Sequence, residues 1–120
     1  MNRLTILAAG YAAVLTGILA WPESQDRYRE GIASWYGEKY RGRTTASGSI
    51  FNPDKLTAAH RTLPFGTVVR CVLGERSVDV TITDRGPFVD GRELDLSRAA
   101  FEKLAHTDAG LIKIKWKVMK

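Results

Sequence analysis

A chain of 120 residues that opens on one apolar tract has room for a single domain of about ninety residues, and none for a second. Its hydrophobic share of 44 % is enough to build a core, which argues against disorder beyond a short linker. The formal charge of +5 favours polyanionic partners, while a single cysteine, Cys71, and two histidines without ligand spacing, His60 and His106, exclude an intrachain disulfide and give no basis for a metal or other cofactor.

Leu4 to Trp21 carries no charge, follows Arg3 and is rich in Ala and Leu, so residues 1–21 read as a signal peptide or signal anchor. Its 18 residues span about 27 Å as a helix, slightly short of a ~30 Å hydrocarbon layer. Signal peptidase prefers small residues at both recognition positions, and the tract ends with Ile18 and Ala20, or Gly17 and Leu19, so an uncleaved anchor is favoured. Residues 22–30 form a polar linker to a domain over residues 31–120. The expected location is the cell envelope, periplasmic or otherwise outside the cytoplasm, with the inner membrane as a partner. Outside the cytoplasm a basic domain does not meet nucleic acid; a nucleic-acid binder would need its C-terminus inside the cell.

Gly31 to Gly37 is a β-branched and aromatic run closed by glycine, which predicts a strand. Glu38 to Ser49 is punctuated too densely by Gly, Thr and Ser for a helix and reads as a functional loop. Thr67–Val72 and Ser77–Thr83 are predicted strands of a hairpin, with Val78, Val80 and Ile82 alternating against Asp79, Thr81 and Thr83. Ser97 caps a short helix over Arg98–Ala105 in which Phe101 and Leu104 share a face. In the last strand Ile112, Ile114, Trp116 and Val118 alternate with Lys113, Lys115 and Lys117, a lysine row expected to keep the strand soluble and its edge protected. Short strands, glycine-rich turns and one helix suggest a small closed or nearly closed barrel, mainly β.

Continuing the alternation of Val78, Val80 and Ile82 places Asp84 on the inward side at the strand's end, where a partly desolvated carboxyl is suited to hold a proton. Asp79, of opposite parity, is expected on the surface. Taken alone, Asp84 is equally suited to accept hydrogen bonds from the amides of the Arg85-Gly86-Pro87 turn or to pair with Arg85 or Arg92. His60 is likewise a core or turn residue as readily as a catalytic one, and Asp95, between Leu94 and Leu96, reads as a structural partner for an arginine or a turn.

Five segments occur in order: Gly31–Gly37 (GIASWYG), Gly42–Gly48 (GRTTASG), Leu56–Thr67 (LTAAHRTLPFGT), Thr83–Phe88 (TDRGPF) and Gly91–Ser97 (GRELDLS). Together they closely resemble the rare lipoprotein A family over Gly31 to about Val118. The resemblance implies a six-stranded double-psi β-barrel with one short helix, a fold shared with expansins and with some lytic transglycosylases. It implies as substrate the glycan strands of bacterial peptidoglycan, and as reaction the water-free cleavage of the N-acetylmuramyl to N-acetylglucosamine β-1,4 bond, leaving a 1,6-anhydro end. It carries over Asp84 as the acid/base and His60 as the group that orients or polarises the sugar. Tyr36, Arg43, Thr45, Ser49, Arg85 and Phe88 are carried over as substrate-binding residues. The alternative is a non-catalytic, expansin-like module that binds or loosens the wall.

This chain departs from the pattern in one position that bears on the chemistry. Many members hold an acidic residue directly after the second glycine of the GRTTASG segment, and here that residue is Ser49, which can hydrogen-bond sugar but neither transfers a proton near neutral pH nor carries charge. Weak activity is the expected consequence, unless Glu38 or Asp54 substitutes.

Overall fold

The structure is a computed structural model that describes residues 27–120. The expected N-terminal helix over residues 1–21 and the first part of the linker lie outside the described residues, and among the described residues no helix is long and apolar enough to cross a membrane. Six strands follow in chain order: β1 (Arg29–Tyr36), β2 (Thr57–Ala59), β3 (Val68–Leu73), β4 (Arg76–Asp84), β5 (Arg92–Ser97) and β6 (Ile112–Val118), with one helix, α1 (Arg98–Glu102), between β5 and β6. Strand β1 begins at Arg29, so the last two residues of the predicted linker already pair with β6.

The strands close into a barrel in the order β1-β5-β2-β4-β3-β6. Two of the six pairings, β1 with β5 and β2 with β4, are parallel, and the other four are antiparallel. This closed six-stranded sheet with two parallel crossings is the double-psi β-barrel. The β3–β4 hairpin turns through Gly74 and Glu75, and Gly74 takes φ 61, a left-handed conformation that a side chain resists. Because the sheet closes, β6 has a neighbour on each side and no free edge. The lysine row Lys113, Lys115 and Lys117 therefore faces solvent, as expected, but guards no edge.

The interior is filled from every strand, among others by Ala33, Ala58, Val69, Val80, Ile82, Leu94, Leu96 and Ile114, each at most 2 % exposed. Truncating one of the leucines to alanine would cost roughly 2–5 kcal/mol, lost burial plus the cavity left behind. Cys71 belongs to this core, where burial pushes its thiol up to about 12, which makes it inert. Helix α1 plugs one end: the Ser97 side chain accepts from the Ala100 amide, and Phe101 and Leu104 turn into the core together. Trp35 completes the plug, its ring 6.3 Å from Phe101 and its indole N–H donating to Thr107 O at 3.1 Å. It is a core residue.

Residues 41–56 do not enter the barrel. They lie over its outer face as a loop pinned to the sheet through Ser47 N–H to Thr83 O and Thr81 N–H to Leu56 O, and to α1 through Ala99 N–H to Pro53 O. Phe51, 3 % exposed, anchors the loop by stacking on Tyr36 at 4.4 Å.

Candidate functional site

The site lies on the outer face of the sheet, and a single register shift puts it there. Strand β4 pairs with β2 as Thr81 with Thr57 and Ile82 with Ala58, and then skips one residue to pair Asp84 with Ala59. The extra residue ends the simple alternation that predicted an inward Asp84. Ala58 faces the core with Leu96, whereas Ala59 shares its opposite face with Asp95, and Asp95 in turn pairs with Ser34. Asp84, Ala59, Asp95 and Ser34 thus form one outward row across four adjacent strands. Asp84 and Asp95 are separated by two strand spacings, about 10 Å between Cα atoms.

Their surroundings differ. Asp84 Oδ1 accepts from the amides of Ala46 and Arg85, both at 2.9 Å, which locks the carboxylate against the covering loop. Asp95 accepts one bond, from Ser34 Oγ at 3.1 Å. Burial pushes the Asp95 carboxyl up to about 6, against the Ser34 hydrogen bond and the charge of Arg92, and the charge of Asp84 adds to the rise. The sequence predicts Asp95 as a structural partner for an arginine or a turn; its hydrogen-bond partner is instead Ser34, and it lines a cleft with Ser34, Tyr36, Tyr40 and Arg92. Tyr36 lies within electrostatic reach of both acids. Its phenol is raised by burial first, then by the charges of Asp84 and Asp95. Its buried hydroxyl has no hydrogen-bond partner.

The other predicted residues are dispersed. Thr45, Ser47 and Ser49 form a ring of hydroxyls 2.8–3.0 Å apart, next to the Ala46 amide that binds Asp84. Arg43 lies 5.5 Å over the Tyr40 ring. Arg85 turns away from the row, its guanidinium 3.9 Å over Phe65 and donating to His60 O at 3.2 Å. Phe88 stands on the loop between β4 and β5, 79 % exposed.

His60 is joined to Asp84 only through the backbone, its amide donating to Asp84 O at 3.2 Å. Its ring packs edge-on to Trp116 at 5.5 Å, and Nδ1 accepts from the amides of Thr62 and Leu63, both at 3.1 Å. Those bonds fix the neutral tautomer with the proton on Nε2. Burial lowers its pKa, and the charges acting on it most strongly are those of Arg61, Glu93, Arg85 and Arg29. The imidazole is thus brought to the turn after β2, not to the two carboxylates.

Glu38 and Asp54 do not fill the place of the missing acid. Arg41 and Arg98 each bind both of them, joining the loop to α1. Hydrogen bonds from Arg41 and then Arg98 pull Glu38 down to about 2, and Arg41 lowers Asp54 in the same way. Among the described residues no group of three or more His, Cys, Asp or Glu is placed to hold a metal ion.

A closed double-psi barrel with two carboxylates in one row on its outer face sets the class of protein. The chain belongs to the lytic transglycolase family, whose model matches residues 28–116. A relative from Aquifex aeolicus named "Probable endolytic peptidoglycan transglycosylase RlpA" is 50 % identical over 96 residues, covering 78 % of this chain and 42 % of the relative, so the chain spans less than half of that protein. Among solved structures, the Streptomyces papain inhibitor superposes with a TM-score of 0.66 at 27 % identity, over 78 % of this chain and 96 % of that one. A Clavibacter michiganensis expansin, solved with cellohexaose, superposes with a TM-score of 0.65 at 22 % identity, over 78 % and 51 %, a likeness of fold. The resemblance read from the five ordered segments is borne out.

Proposed function

We propose that this chain is a lytic transglycosylase of the cell envelope that cuts the N-acetylmuramyl to N-acetylglucosamine β-1,4 bond of peptidoglycan strands and leaves 1,6-anhydro ends. The observation that carries the reading is the outward row in which Asp84 and Asp95 flank Ala59, with Asp95 raised to about 6. The name of the Aquifex relative supports it.

Asp84 is the acid/base, and Asp95, its carboxyl raised to about 6 chiefly by burial, is the second acid of the pair. In the first half of the reaction the proton passes through Asp84 to the glycosidic oxygen as the C1–O bond breaks. In the second, the sugar's own C6 hydroxyl adds to C1 and gives its proton to the same carboxylate. The pair ends with the proton it began with, and water is not consumed. An intramolecular nucleophile removes the need for a separate base to activate water.

His60 acts as a positioning residue: its ring fixes the turn after β2 while its amide holds the end of β4 at Asp84. Thr45 and Ser49 offer hydroxyls to the sugar, Arg43 lines the approach, Tyr36 lines the cleft beside Asp95 and Phe88 offers an exposed ring face. Arg85, turned onto Phe65 and His60 O, supports the turn after β4. Residues 1–21 serve as a membrane anchor, with the barrel on the periplasmic side.

Full-length protein in detergent, incubated with purified peptidoglycan, is expected to release anhydro-ended fragments detectable by mass spectrometry, and Asp84→Asn to release none. Fragments with ordinary reducing ends would overturn the reaction. One observation favours a second reading, an expansin-like module that binds or loosens the wall: neutral hydroxyls occupy the place of the relatives' acid, and the nearby Glu38 and Asp54 are committed to arginines. Binding to the glycan without any fragments would decide for it.

A further inference from the structure

We propose that Arg92 is a specificity residue of the cleft, its guanidinium receiving a carboxylate carried by the glycan strand beside the bond that is cut. The proposal rests on the glycan reading above and adds the part of the substrate that is recognised.

Arg92 opens β5 and pairs with Ile32 at the end of the ladder that goes on to Ser34 and Asp95. Its backbone is held from both sides, the amide donating to Val89 O at 3.2 Å and the carbonyl accepting from Arg61 Nη1 at 2.6 Å. The Arg92 side chain, on a half-buried residue, makes no hydrogen bond or ion pair among the described residues, although its charge acts on Asp95. Other arginines of the domain are engaged: Arg61 and Arg85 donate to backbone carbonyls, and Arg41 and Arg98 bind carboxylates. Side-chain ordering is already partly met by the fixed backbone, so a ligand anion would find a positioned and unspent fork of donors.

The position of Arg92 says what passes it. It belongs to the wall of the Asp95 cleft and also to the wall of a second hollow formed with Ile32, Val89 and Leu111. A strand bound along the outer face of β1 and β5 and leaving Asp95 in this direction crosses Arg92. The sugar backbone of peptidoglycan is neutral, and its anionic groups are carboxylates. These come from two sources, the 3-O-lactyl group of a muramic acid whose peptide has been removed, and the stem peptide itself. A planar guanidinium accepts either in two parallel hydrogen bonds.

The test measures cleavage and equilibrium binding by the full-length protein in detergent on four substrates: glycan strands stripped of peptide, strands bearing peptide, and each of these after carbodiimide coupling to methylamine, which turns carboxylates into neutral amides. Binding is measured with Asp84→Asn protein, so that the proposal is read even if no substrate is cut. Arg92→Gln is expected to raise KM and Kd about tenfold on the untreated substrate that carries the recognised carboxylate, the scale of one charge-assisted contact at a half-exposed site. Amidation of that substrate raises them equally for the parent protein and has no further effect on Arg92→Gln. Arg92→Lys recovers part of the loss. Loss confined to stripped strands identifies the lactyl carboxylate, and loss confined to peptide-bearing strands identifies the stem peptide.

Arg92 also lowers Asp95, so Arg92→Gln moves the pH dependence of kcat upward on all four substrates alike; that shift is separate from KM. An equal loss of binding on native and amidated strands would overturn the proposal. Absence of cleavage by the parent protein, with the binding pattern intact, would overturn the reaction and leave Arg92 as the carboxylate-reading residue.

Discussion

Asp84 and Asp95 stand on the outer sheet face of this barrel, whereas Glu38 stands in the turn after β1 and Asp54 on the covering loop. The first two are fixed by amides and a serine hydroxyl, and burial pushes Asp95 up to about 6. The second two are gripped by Arg41 and Arg98, and Glu38 is pulled down to about 2. At Asp95 burial outweighs the Ser34 hydrogen bond and the charge of Arg92, whereas at Glu38 and Asp54 the arginines outweigh burial and hold both as anions. Proton chemistry follows the first kind of environment.

The largest effect that tests this division is expected for Asp84→Asn, with a loss of about 10³-fold in the release of anhydro fragments and an unchanged circular dichroism spectrum. Asp95→Asn should lower kcat about 10²-fold and remove the inflection near pH 6 from a kcat profile measured between pH 4.5 and 8. An inflection that survives this substitution would assign the titration to another group.

The same variant has a second readout, in stability. Asp95 lies above its usual 3.8 in the folded chain, so the folded state binds the extra proton between about pH 4 and pH 6. The parent protein then loses stability as pH rises through 6, and Asp95→Asn does not. Urea unfolding should show the variant more stable by on the order of 2 kcal/mol at pH 7 and equal to the parent at pH 3.5, below both values. Equal stability at both pH values would refute the shift. The smallest effect is expected in the other pair: Glu38→Gln should leave the cleavage rate within about twofold, and its drop in melting temperature should fade in 1 M salt, as for exposed ion pairs.

Local signals gave much of this fold away. The alternation from Ile112 to Val118, the β3–β4 hairpin, the buried Cys71 and the Ser97 cap were all legible, because each depends on residues a few positions apart. Strand β2 was not, since three residues, Thr57–Ala59, are too few to show a period. Helix α1 is shorter than the predicted Arg98–Ala105 and ends at Glu102, although Phe101 and Leu104 do share a buried face. The side of the sheet on which Asp84 emerges was misread for a specific reason: the extra residue in β4 is a property of its pairing with β2 and leaves no mark in the alternation of Val78, Val80 and Ile82. Asp95 carried a partial signal, its place between two apolar residues putting it opposite the core, but its burial comes from parts of the chain distant in sequence. The outward neighbours Ser34 and Tyr36, two apart on β1, were the available hint that this face was used.

Strand β1 pairs only with β5 and β6, the last strands to appear, and the ladder that brings Ser34 to Asp95 joins positions 61 apart. As the chain is made from its N-terminus, β1 therefore waits without a partner until β5 and β6 have been added, and β3 waits for its outer neighbour as well. A chain stopped before Ile112 leaves two unpaired rims, on β1 and on β3. Closing the ring draws together distant segments, which places this barrel among the slower folders of its size, with the last seven-residue strand sealing it between β1 and β3.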